Sequence, residues 1–84
     1  MTDKTQLLAK ARKSANEIEE IIIQVHERLS ERKYFQETAD DFSEAYYEQT
    51  IGWLNELEEI RAKISTIKEQ MSVTMLSETR DKDQ

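Results

Sequence analysis

Eighty-four residues with a net charge of −6, no cysteine and one histidine leave little for a self-sufficient fold. Small chains bury a small share of their surface, and here neither disulfides nor a structural metal can compensate. The acidic balance repels a phosphate backbone and excludes ordinary nucleic-acid binding.

Self-association or a protein partner is the remaining route to stability, and an acidic face would attract a basic protein surface. The N-terminus has no apolar run before a cleavage site, and no segment approaches the ~20 apolar residues that span a bilayer. The absence of cysteine is compatible with a reducing compartment. The expectation is a soluble, cytoplasmic protein that does not contact a membrane.

There is no proline, and Gly52 is the only glycine. Turn-rich sheets draw on those residues, so their scarcity, with the abundance of Glu, Lys, Gln, Leu, Ile and Ala, predicts an all-α chain. Thr2 or Asp3 can cap a first helix over about 3–32. Apolar residues then recur at alternating steps of three and four: Leu8, Ala11, Ala15, Ile18, Ile22, Val25 and Leu29. Placing Leu8 at heptad position a puts Ala15, Ile22 and Leu29 at a, and Ala11, Ile18 and Val25 at d.

A bend is predicted over about 33–38, sealed by Tyr34, Phe35 and Phe42. Thr38 followed by Asp41 resembles a capping box for a second helix over about 39–76. Its seam runs through Tyr46, Trp53, Leu57, Ile60, Ile64, Ile67 and Met71, widened by Tyr47, Ile51 and Leu54. Residues 78–84 carry no apolar side chain and are expected to form a flexible tail after a single domain of 1–77. Both seams share one heptad register, so a single continuous helix is the alternative to the hairpin. Gly52 within the second helix reads either as a tolerated exposed glycine or as a site of close approach beside Trp53.

Functional residues cluster in the middle of the chain. All six aromatics and eight acids lie between Tyr34 and Ile60, a span with no lysine or arginine. Trp and Tyr are enriched at binding hot spots, so Tyr46, Tyr47, Ile51, Trp53, Leu54 and Leu57 are the expected partner-contact residues. Ile18, Ile22, Val25, Leu29, Ile60, Ile64 and Ile67 form the expected helix seam. Asp40, Glu44 and Glu48 recur at steps of four and read as a solvated acidic face. His26 has no Glu three residues before it, as a di-iron motif would require. No phosphate-binding glycine loop or nucleophile elbow is present. Neither catalysis nor a metal, cofactor or small-molecule substrate is expected.

The run Glu17-Ile18-Glu19-Glu20-Ile21-Ile22-Ile23-Gln24-Val25 resembles the first-helix core of the small co-chaperones of type III secretion systems. Tyr46-Tyr47-Glu48-Gln49-Thr50 and Glu56-Leu57-Glu58-Glu59-Ile60 are similar to the second helix of that family. Together these runs make up 19 of the 84 residues. The resemblance implies an acidic helical hairpin that holds a secreted subunit, often beside a second chaperone. It carries no catalytic motif whose residues could be transferred.

The expected architecture is two long antiparallel helices that complete a bundle by dimerisation or with a partner. The expected function is non-enzymatic protein binding by a small chaperone or adaptor of the secretion co-chaperone type. Two alternatives stay open. One is a structural homodimeric coiled coil. The other is an acidic inhibitor whose residues 37–59 occupy another protein's nucleic-acid-binding site.

Overall fold

A computed structural model describes residues 3–82, with side chains for 3–78. The chain is a helical hairpin of α1 (Lys4–Thr38) and α2 (Glu44–Lys82), and no strand occurs among the described residues. The single continuous helix is thereby excluded.

Asp3 caps α1, its carboxylate accepting from the Thr5 N–H at 3.3 Å. Thr2 lies outside the described residues. The bend falls at 39–43, later than the expected 33–38. Nothing in 33–38 breaks a helix, and α1 continues through it. Thr38 then closes the helix by donating its hydroxyl to the carbonyls of Tyr34 and Phe35. Ala39 turns extended (φ −75°, ψ 142°), and Asp40 and Asp41 form the turn, a role that suits Asp.

The second helix therefore starts at Glu44, not 39. Ser43 stands immediately before it, where serine is favoured, and its carbonyl accepts the Tyr47 N–H at 3.0 Å. Thr38 and Asp41 do not cap α2. Nor does α2 stop at 76: it reaches Lys82 through most of the expected flexible tail, because that polar stretch contains no helix breaker. Residues 83 and 84 lie outside the described residues.

The helices meet along a face one step away from the expected seam. Position a faces the neighbouring helix as predicted: Ala15 and Ile22 are buried, as is Thr50 on α2, while Leu8, Leu29, Leu57, Ile64 and Met71 are half-buried. The second contact row is e, where Leu54 is buried and Glu19, His26, Tyr47 and Lys68 are half-buried. The d residues Ile18, Val25, Ile60 and Ile67 are exposed by 42–45%. At about 100° per residue, a and e lie close together on a helix, while d lies to their other side. The hairpin packs a with e, so the d rows stay on its open side.

Cross-helix polar pairs set the register. Thr5 donates to Glu78 at 3.2 Å, His26 Nε2 lies 3.5 Å from Glu58, and Arg32 Nε donates to the Thr50 hydroxyl at 3.3 Å. The Lys68–Glu19 pair, at 3.3 Å, is the most sheltered of the ion pairs. The result is a rod of 67 × 18 × 15 Å with a radius of gyration of 19.1 Å, against the ~12 Å of a compact chain this long.

Gly52 lies at position c, on the outer side of α2, and a Cβ there would meet nothing within 4 Å. The close-approach reading is corrected accordingly.

Truncating the a or e row, by Ile22→Ala or Leu54→Ala, should cost ~2–5 kcal/mol in urea unfolding. Ile18→Ala, on the open d row, should cost less than half as much when measured at a concentration where the chain is monomeric. Gly52→Ala should stabilise the chain by up to ~1 kcal/mol, because it relieves helix entropy without a clash.

Candidate protein-interaction face

The hairpin has two broad faces of opposite character. In an antiparallel pair, the d rows of both helices emerge on the same side, and the b rows on the other. The bend displays this directly. Arg28, Glu31, Arg32 and Phe35 of α1 line one open cleft of about 530 Å³ together with Ala39, Asp41 and Phe42 of the bend and Tyr46 of α2. On the opposite side His26, Ser30, Lys33 and Glu37 share a second cleft with Ile51, Asn55 and Glu58 of α2.

The b side is polar and internally paired. His26 stands beside Glu58, with Ser30 Oγ 3.5 Å from its Nδ1. Glu37 accepts from the Tyr47 hydroxyl at 2.8 Å and lies 3.6 Å from Lys33 Nζ. The carboxylate favours the protonated phenol that donates to it. Tyr47 is therefore raised above 10.0, first by that hydrogen bond, then by desolvation and by the Glu37 charge.

The d side is apolar. Nine exposed large apolar residues occupy positions d and g: Leu7, Ile18, Ile21, Val25, Phe35, Tyr46, Trp53, Ile60 and Ile67. The cross-helix register sets Ile18 level with Ile67 and Val25 level with Ile60. These rows continue into the cleft at the bend, where Phe42 tilts onto Tyr47 at a centroid distance of 5.4 Å. Gln36 also lines that cleft, and its buried side-chain oxygen has no hydrogen-bond donor among the described residues.

The residues named from the sequence thus separate into two groups. Ile22, Leu29, Leu54, Leu57 and Ile64 pack between the two helices. Tyr46, Trp53, Ile18, Val25, Ile60 and Ile67 stand on the open side. Ile51 is half-buried in the polar-side cleft, and Tyr47 is half-buried with its hydroxyl on Glu37 and its ring against Phe42. Asp40 belongs to the bend, so only Glu44 and Glu48 of the expected acidic row share a helix. The sequence reading did not single out Ile21, Phe35 or Arg32 as contact residues. Their signal was the g and d positions of the same heptad.

The described residues contain no group of three or more His, Cys, Asp or Glu side chains placed to hold a metal ion. Among the described helices none is long and apolar enough to cross a membrane. Compared with known proteins, the chain matches no family model, no curated protein and no solved structure.

One prediction concerns the polar side. Replacing Glu37 with Gln removes the charged acceptor, so the Tyr47 phenol should titrate closer to 10.0, read by phenolate absorbance. A raised folded-state value contributes stability that is fully present below the unfolded value and is lost as pH rises through the folded one. Wild type should therefore lose this contribution at alkaline pH, and Glu37→Gln should not show that loss.

Proposed function

We propose that the chain is a non-enzymatic protein-binding module, a small chaperone or adaptor of the kind the secretion co-chaperones represent. The supporting observation is the apolar d side of the hairpin, which Ile18, Ile21, Val25, Tyr46, Trp53, Ile60 and Ile67 leave open along its length. Contiguous apolar surface of this kind marks a protein contact.

The mode of contact would be helix packing. Each helix already commits its a and e rows to its neighbour, and a partner helix laid along the d rows would complete the apolar face. Trp53, 41% exposed, sits toward the bend end of that row, and indole rings anchor such contacts. The acids on the outer sides of both helices would keep the complex dissolved and steer a basic partner toward it.

The test is capture of a binding protein from the native host on the immobilised chain, then titration with purified partner. Trp53→Ala should weaken binding by at least ~2 kcal/mol while helicity by circular dichroism persists. Loss of helicity with the same substitution would make the ring a support of the hairpin and count against the anchor. Unchanged affinity would remove Trp53 from the contact.

A further inference from the structure

We propose that a second copy of this chain covers the d side, with both bends at the same end, giving a four-helix bundle. This rests on the reading of that side as a protein-contact surface and names an occupant for it. Copy and unlike partner use the same rows, so each excludes the other.

Area supplies the first reason. The chain exposes 6802 Å², whereas size scaling gives about 5,200 Å² for a compact monomer of its mass. The excess of roughly 1,600 Å² is more than the ~800 Å² that a standard interface takes from each partner. Position supplies the second. Core helices of four-helix bundles bury a, d and a flanking row. The hairpin buries a and e, and a twofold-related hairpin laid on the d rows completes that set.

Charge supplies the third reason. Two chains of net −6 can pair closely only if their acids stay off the contact. Among the acids with described side chains, Glu56 is the sole helical one at d or g; of the others, Glu31 at c and Asp41 of the bend reach the cleft on this side, beside Arg28 and Arg32. Glu56 is also level with Arg28 of the neighbouring helix, one step from the His26–Glu58 pair. With both bends at one end, α1 of each copy lies over α2 of the other, and each Glu56 meets the other copy's Arg28 at g, an exposed guanidinium that otherwise has Glu31 of its own helix at 3.4 Å. The reversed arrangement sets α2 over α2 and brings Glu56 near Gln70 instead.

Sedimentation equilibrium on the full chain tests this. The expected mass is twice 9.9 kDa, falling to one chain on dilution. Val25→Asp should give the single-chain mass with helicity retained, because Val25 lies outside the a and e rows. Glu56→Lys should weaken self-association about tenfold, through two like-charge contacts per dimer. Adding Arg28→Glu to it should restore wild-type association. A spin label at Asp40→Cys, in a chain with no other cysteine, should report two bends close together.

A single-chain mass at every concentration overturns the second copy. If that monomer still captures a host protein in a Trp53-dependent way, the interaction reading stands alone; if it captures none, both fail. A dimer with labels separated by most of the 67 Å rod, or one indifferent to the charge swap, overturns the arrangement with both bends at one end.

Discussion

A helix in a hairpin has one neighbour, and one neighbour covers one stripe. Here the apolar residues occupy more than one stripe. Burying the a row with e leaves the d row outside. The thin interior follows from this: among the described residues Ala15, Ile22 and Leu54 are the buried apolar ones, with Thr50 buried as well. The open side follows as well, since Ile18, Val25, Ile60 and Ile67 lose only part of their surface to the neighbouring helix. A fold so constructed would gain stability from a partner laid on that side.

The polarity of the two sides comes from the e and b rows. Glu19, His26 and Lys33 of α1 stand at e, and each has a partner on the b side or across the helix pair: Lys68, Glu58 and Glu37. Exposed pairs like these are individually worth little. Together the two cross-helix pairs favour the observed orientation, because turning the helices to bury d in place of e would separate Glu19 from Lys68 and His26 from Glu58. The Tyr47–Glu37 hydrogen bond belongs to the same set, joining the ends of the helices across the bend.

Much of this was legible from the sequence. The scarcity of glycine and proline pointed to helices, and the steps of three and four located the a row at Ala15, Ile22 and Leu29. The choice of e over d was not legible. Alternating steps look the same whether the second row meets the other helix of the hairpin or another chain. The bend was misplaced because its rings drew attention to 34–35, whereas Thr38, Asp40, Asp41 and Ser43 carry the terminating and initiating chemistry. The Tyr47–Glu37 contact had no local signal, because its residues meet only once the chain has reversed.

Thr50 explains how one arrangement is selected. Both helices share a heptad register, so sliding one past the other by seven residues would still match a against a. A buried threonine at a costs apolar contact that Val or Ile would supply. Its hydroxyl donates to the Tyr46 carbonyl and accepts from Arg32 Nε, and it is fully buried close to the bend. A slip of one heptad would bury that hydroxyl without its Arg32 partner and separate Lys68 from Glu19. Polar residues at a positions fix register in this way at a cost in stability. The register they hold keeps Ile18 level with Ile67 and Val25 level with Ile60, so the d residues form one continuous face. The polar interior is therefore what gives the apolar exterior its order.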